Sequence, residues 1–161
     1  MSEAIVFAER SIAPGGDAIW PPALEHLSRR FASIRELDVA GVPARESAVA
    51  VLEAWAGEEV SSWRLELARF YDDHARVHLR RDPSTAALLA ALRSDGVRLA
   101  AYGQGPREAS AATLGFLGLD RRLDVVVLEP AGDGYAECLA ALGVSEGRHV
   151  STREELAQLR Q

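Results

Sequence analysis

Short apolar runs of strand type alternate with longer helical segments along this chain, and this alternation restricts the possible folds more than any other feature of the sequence. Strands are predicted at residues 3–8, 97–102 and 123–128, with a shorter one at 148–150. Strands that are separated by helices pair in parallel, and helices then cover both faces of the sheet. We therefore predict an α/β fold, a three-layer Rossmann-like core with a parallel sheet.

The interval between the first two predicted strands is unusually long. It holds three helical patterns instead of one, with apolar stripes that include Leu24, Leu27 and Phe31 in the first helix. These helices form an insertion between the first strand and the rest of the sheet. We predict two units: residues 1–16 with 80–161 as the core, and residues 17–79 as a small helical cap.

Turn and capping residues place the later helices. Ser84 is predicted to cap a helix that Gly96 terminates, and Pro106 to open the next. Further helices are expected near residues 133–142 and 154–159.

Composition narrows the classes of function. The chain has 161 residues, 48% of them apolar and 26% charged, which is typical of a single globular domain. Its net charge of −6 argues against nucleic acid as a partner. No run is long enough to span a bilayer and no signal peptide is evident, so we expect no membrane partner and a cytoplasmic location. The single cysteine, Cys138, is predicted to be a core residue.

All 18 basic residues are arginines. Coding bias can produce this without a functional cause. No mechanism that requires a lysine can operate in this chain.

The run LLAALRSDGVRLAAYGQGPREASAATLGFLGLDRRLDVVV, followed by LAALGV, resembles the haloacid dehalogenase-like (HAD) superfamily. The resemblance is to members with a helical cap after the first strand, and it covers nearly the whole chain. Such enzymes carry four catalytic motifs at the carboxyl ends of strands.

The first motif, D-x-D-x-T, supplies an aspartate nucleophile and an aspartate acid/base. In the corresponding stretch, AIVFAERSI, Ala8 stands at the nucleophile position, Arg10 at the acid/base position and Ile12 at the threonine. A methyl group cannot form the aspartyl intermediate. Arg10 would put a positive charge where the Mg²⁺ implied by the resemblance needs oxygen ligands, so we predict that the metal site is lost and that no cofactor is bound.

The other three motifs are also altered. Gly103 replaces the serine or threonine that holds a phosphoryl oxygen, and Glu129-Pro130 stands where a Lys-Pro pair is expected. Ser151 and Thr152 occupy the places of the acidic metal ligands. Loss of all four motifs argues against phosphatase chemistry.

The loop of residues 103–107 is predicted to be a tight turn inherited from the fold, and two alternatives concern the old catalytic pocket. Arg10, Gln104 and Arg107 are candidates for an anion-binding site, since glycines let the backbone of the 103–107 loop approach a ligand. The negative charges of Glu9, Glu129 and Asp133 would share its rim. Alternatively, Arg10 pairs with Glu129 and fills the site with a salt bridge.

Three tryptophans, Trp20, Trp55 and Trp63, fall in the predicted cap. Trp55 and Trp63 lie on apolar stripes, whereas Trp20 precedes two prolines at a helix start and is predicted to be exposed for contact.

We predict a non-catalytic pseudo-phosphatase that binds a protein partner or itself. The alternatives are a sensor of anionic, phosphorylated metabolites and a HAD-type hydrolase with unconventional residual activity.

Overall fold

A computed structural model of the chain describes residues 3–159 and shows four parallel strands in one sheet, in the order β3-β2-β1-β4. The predicted α/β fold with a parallel sheet is confirmed. The strands are β1 (Ala4–Ala8), β2 (Arg98–Gly103), β3 (Val125–Leu128) and β4 (Arg148–Val150). The helices are α1 (Glu9–Ile12), α2 (Trp20–Phe31), α3 (Val49–Ala56), α4 (Trp63–His78), α5 (Pro83–Ser94), α6 (Arg107–Leu117), α7 (Gly134–Leu142) and α8 (Arg153–Gln158).

Strand β1 lies at the centre of the sheet, between β2 and β4. All five of its residues are buried because helices cover both of its faces. Ile5 and Phe7 point into a cluster with residues of α5, α6 and α8, whereas Ala4 and Val6 point into a cluster with α7. This alternation, with period two, produces the three layers.

Helices α2, α3 and α4 lie between β1 and β2 in sequence and share one hydrophobic cluster of their own. Ala109 of α6 belongs to the same cluster, so α6 is the core helix on which these inserted helices pack. The extent of the cap, residues 17–79, remains a prediction.

The prediction that Trp20 is exposed is wrong, because only 6% of its surface is accessible. Trp20 is the first residue of α2 and packs into the cluster of inserted helices, together with Leu24 and Leu27. The exposed side of this first turn is occupied by Pro21 instead.

Helix α5 begins with a different cap from the predicted one. The Asp82 carboxylate, and not Ser84, accepts hydrogen bonds from the amides of Ser84 and Thr85, at 3.0 and 3.3 Å. Pro83 occupies the first helical position, where a missing N–H has no cost.

Cys138 is buried as predicted, and burial raises the pKa of its thiol to about 12.

Within residues 3–159, none of the helices combines the length and the apolar character that crossing a bilayer demands.

We predict that Asp82→Ala lowers the free energy of unfolding by about 1 kcal/mol at pH 7, the usual value of an N-cap. Hydrogen bonds from Thr85 and Arg153 outweigh burial and lower the pKa of Asp82 from 3.8 to about 2. The contribution of this lowered pKa to stability is complete above pH 3.8 and is lost as the pH falls through about 2.

Urea unfolding at several pH values measures this difference, which is expected to shrink as the pH approaches 2. Ser84→Ala is the matched control and leaves stability unchanged, because only the backbone amide of Ser84 contacts the cap. An equal loss of stability in both variants would contradict the assignment of the cap to Asp82.

Candidate functional site

The carboxyl ends of β1, β2, β3 and β4 meet at one edge of the sheet. Ala8 ends β1 and Gly103 ends β2, while Glu129 and Ser151 follow β3 and β4 directly. The positions that the resemblance assigns to the four motifs therefore lie along the same edge. This is the edge at which ligands bind in open α/β sheets.

A buried ion pair lies behind this edge. Helix α1 begins immediately after β1 and turns Glu9 inward, where its Oε2 accepts a hydrogen bond from Arg45 Nη2 at 2.7 Å. Both side chains are almost inaccessible, at 3% for Glu9 and 5% for Arg45. Glu9 was expected on an open rim, and the structure corrects this: its charge is neutralised inside the protein.

Arg45 makes further contacts in this buried network. Its Nη1 donates to Ser110 Oγ at 3.1 Å, and its Nη2 lies 3.3 Å from Asp17 Oδ1. Burial lowers the pKa of Arg45, but the carboxylate of Glu9 more than compensates, and the net shift is upward. Arg45 is therefore held as a cation although its side chain is buried.

Two glycines make this arrangement possible. A Cβ on Gly103 would lie 2.6 Å from Ser110 Cβ and 2.7 Å from Glu9 Oε1. Gly105 has a φ of +93°, and a Cβ there would collide with the backbone carbonyl of Arg45. The backbone of this glycine loop, a candidate cradle for a ligand, packs against residues of the chain itself.

Arg10 does not pair with Glu129, so that alternative is wrong. The side chain of Arg10 is about half exposed and forms an ion pair with Glu46, the residue after Arg45. Helix α1 thus presents two consecutive charged residues to the same short segment, residues 45–46. Glu9 binds it inside the protein and Arg10 binds it outside.

Glu129 pairs with Arg64 of α4 instead, with Oε1 at 2.7 Å and Oε2 at 3.2 Å from the guanidinium. Its Oε1 also accepts the backbone amide of Arg107 at 3.1 Å, so a carboxylate of the chain occupies the start of α6. Burial raises the pKa of Glu129, but the hydrogen bonds and charges of Arg64 and Arg107 together lower it by more, so the net shift of this pKa is downward.

Arg64 joins three carboxylates. Besides Glu129 it binds Glu108 of α6 at 3.0 Å and Glu53 of α3 at 2.8 Å. Burial lowers the pKa of Arg64, but these carboxylates raise it by more, and the net shift is upward. Helices α3 and α4 are thereby tied to α6 and to the end of β3 through one side chain.

An open cleft of about 580 Å³ remains at the edge of the sheet, here called the edge cleft. Arg10 and Gln104, two of the three candidates for anion binding, contribute to its wall, and the side chain of Arg107 does not. The lining residues are Ala8, Glu9, Arg10, Ala44, Arg45, Glu46, Tyr102, Gln104, Ser151 and Thr152. The structure therefore brings together Arg10 and Gln104, but each cation in the wall is already paired with a glutamate.

The candidates near the last strand serve as helix caps. Thr152 Oγ1 accepts the amide of Glu155 at 3.1 Å, and Ser151 Oγ donates to Glu155 Oε1 at 2.8 Å. Asp133, another expected rim residue, caps α7 by accepting a hydrogen bond from the amide of Tyr135.

Across residues 3–159, no group of three or more His, Cys, Asp or Glu side chains is arranged to hold a metal ion. These residues do not fit the Mg²⁺ that the resemblance implies.

Sequence reasoning missed Arg45 and Arg64. Arg45 lies 36 positions from Glu9, and Arg64 lies 65 positions from Glu129. Neither belongs to a recognisable motif. The only signal in the sequence is the glutamate at position 129, where the resemblance implies a lysine, because a carboxylate there pairs favourably with a cation.

No protein-family profile matches the sequence, and no curated protein sequence matches it significantly. Solved structures, in contrast, match it over most of its length. CbbY from Rhodobacter sphaeroides in complex with phosphate has a TM-score of 0.60 at 18% identity, and the match covers 94% of this chain and 77% of that protein. A candidate beta-phosphoglucomutase from Thermotoga maritima gives 0.56 at 18% identity, covering 92% and 74%.

A candidate haloacid dehalogenase-like hydrolase from Bacteroides fragilis gives a TM-score of 0.53 at 12% identity, covering 94% of this chain and 78% of that protein. At such low identities a match shows the fold alone. The chain has the haloacid dehalogenase-like fold.

Proposed function

We propose that this chain is a non-catalytic protein of haloacid dehalogenase-like fold, a pseudo-phosphatase that binds a protein partner or a second copy of itself. The observation that carries the proposal is the buried pair of Glu9 and Arg45 behind the end of β1. A phosphatase site needs an ionised nucleophile open to its substrate. Here the only carboxylate at the end of this strand is buried and bound to a guanidinium.

Ion pairs at the ends of β1 and β3, where the resemblance places the catalytic site, also support a non-catalytic function. Glu9 and Arg10 of α1 bind residues 45–46, and Glu129 and Glu108 bind Arg64. Every one of these pairs joins the core to the predicted cap. The charges of Glu9, Arg10, Glu108 and Glu129 are thus neutralised by partners within the chain.

We also propose that the Mg²⁺ site is lost. Magnesium ions are bound through carboxylates and substrate oxygens in near-octahedral geometry. At this edge of the sheet the motif positions are taken by Ala8, Arg10, Ser151 and Thr152. These side chains offer no carboxylate to the metal, and Arg10 repels it.

Support for association comes from exposed apolar residues. Among the described residues, the large apolar side chains that are well exposed are mostly in the predicted cap; they are Ile34, Val51, Leu65, Val77 and, on α6, Phe116. Burying such side chains against a partner is favourable. The anion sensor remains an alternative, and it requires Arg10 to leave Glu46.

The purified chain is expected to show no Mg²⁺-dependent hydrolysis of p-nitrophenyl phosphate above that of a heat-denatured sample. The reason is that Ala8 offers no nucleophile at the end of β1, and that Glu129, Ser151 and Thr152 are engaged in contacts within the chain. Release of p-nitrophenol, measured with Mg²⁺ and with EDTA, tests this. Turnover that requires Mg²⁺ and disappears in Ala8→Val would refute the proposal and favour an unconventional hydrolase.

Self-association is expected to raise the mass measured by sedimentation equilibrium above 17.4 kDa as the concentration increases. Leu65→Ser with Val77→Ser removes two apolar side chains that are more than half exposed on α4, and is expected to return the mass to that of the monomer. Ala141→Ser, at an exposed residue of α7 outside the predicted cap, is the control. A parent chain that stays monomeric throughout would exclude self-association and leave only a different partner.

Arg45→Met is expected to lower the free energy of unfolding by about 3–5 kcal/mol, because Glu9 is left buried without its partner. Combining it with Glu9→Gln is expected to restore most of the loss, since the remaining amide carries no charge. Urea unfolding of the parent, both single variants and the double variant forms a thermodynamic cycle. Additive losses in the double variant would show that the two residues do not act as a pair.

A further inference from the structure

A second concave surface, separate from the edge cleft, is lined by arginines. This arginine groove has a volume of about 420 Å³ and lies between the start of α5 and the end of α6. Its lining residues are Arg81, Asp82, Pro83, Ala86, Leu117, Gly118, Arg121 and Arg122. None of them contributes to the edge cleft.

The three arginines of the groove are exposed and unpaired. Over residues 3–159, eight arginines form ion pairs with carboxylates, and Arg81, Arg121 and Arg122 are not among them. In a chain of net charge −6, acidic partners are abundant. A group of three free guanidinium ions in one groove is therefore a local site of positive potential.

The single carboxylate in the groove wall is already engaged. Asp82 Oδ1 accepts the amides of Ser84 and Thr85, and Oδ2 accepts the Thr85 hydroxyl at 2.6 Å and Arg153 at 3.2 Å. The nearby Asp120 accepts the amide of Arg121 at 3.0 Å. Both acidic groups have fixed roles in local structure, which leaves the three guanidinium groups available to an external ligand.

The backbone that carries two of these arginines is anchored. Residues 120–122 form a short 3-10 turn after α6, and Arg93 of α5 donates to the carbonyl of Arg121 at 3.3 Å. Gly118 has a φ of +72°, and a Cβ there would lie 3.3 Å from Arg121 Nη2. This contact places the guanidinium of Arg121 across the glycine, over the end of α6.

The chemistry of the groove selects a class of ligand. Guanidinium groups bind phosphoryl oxygens in a bidentate manner, and three of them match a ligand with several phosphoryl groups in sequence. The rest of the wall is small and apolar, through Pro83, Ala86 and Leu117, and no aromatic ring is present to stack on a base. The volume is within the range of small-molecule sites.

We propose that the arginine groove binds a compact polyphosphate, either as a free inorganic chain or as the phosphate chain of a nucleotide. This binding does not depend on the proposed loss of catalysis, because the two sites share no residue. Its role is recognition alone, and no bond of the ligand is broken.

Titration calorimetry with tripolyphosphate tests the proposal, with ATP and inorganic phosphate as comparison ligands. Tripolyphosphate is expected to bind more tightly than phosphate, and the affinity is expected to fall as salt is added. Arg121→Gln with Arg122→Gln is expected to weaken binding by at least about tenfold, the size of one lost charged hydrogen bond. Arg148→Gln, at an exposed arginine of β4 outside the groove, is the matched control.

If ATP and tripolyphosphate bind with equal affinity, the groove recognises only the phosphate chain. Tighter binding of ATP would identify a nucleotide as the source of that chain. Equal weakening in the control and groove variants would overturn the proposal in favour of nonspecific attraction. Binding of an oligonucleotide but not of tripolyphosphate would overturn it in favour of nucleic acid. Absence of any binding at low salt would also overturn it.

Protection from phenylglyoxal provides a second measurement that needs no variant. Tripolyphosphate is expected to slow the modification of Arg81, Arg121 and Arg122, detected by mass spectrometry, and to leave Arg148 unaffected. Protection of Arg10 instead would place the ligand in the edge cleft and would overturn the assignment to the groove.

Discussion

The contact between Glu9 and Arg45 joins the central strand to the inserted helices through a charge pair that is excluded from water. Removing two ions from water costs several kcal/mol each, and such a pair is tolerated only when its geometry and additional hydrogen bonds compensate. Here Ser110 supplies one of those bonds, and Asp17 adds a second carboxylate. The surrounding backbone has to hold these groups in place, so the positions of α1, α6 and the segment around Arg45 depend on one another.

A second charge pair repeats this arrangement at the end of β3. Glu129 has a φ of +48°, which is uncommon for a residue with a side chain. Its carboxylate is held by Arg64 and by the amide of Arg107, so the unusual backbone conformation coincides with a fixed side chain. Together the two pairs attach the inserted helices at two separated points, and rotation of those helices about a single hinge would break at least one of them.

The sequence was sufficient to predict the fold, because each step depended on local patterns. Short continuous apolar runs identified β1, β2 and β3, and helical stripes identified the long helices. The candidate site was predicted only in part. Positions at strand ends could be assigned from motifs, but the partners of Arg10 and Glu129 lie in distant segments, and periodicity carries no information about such pairing. Trp20 was placed wrongly for the same reason, since its burial depends on how α2 packs and not on its neighbours in sequence.

The absent side chain of Gly103 has a consequence for any attempt to build the motifs of a hydrolase into this chain. A hydroxyl residue at this position would overlap with Ser110 and with the inward carboxylate of Glu9. An aspartate in place of Ala8 would add a second negative charge beside Glu9, whose charge Arg45 already neutralises. Each single substitution toward a motif residue is therefore opposed by residues outside the motif positions. Hydrolase chemistry at this edge would need simultaneous changes in two strand ends and the inserted segment, and no single mutation would provide it.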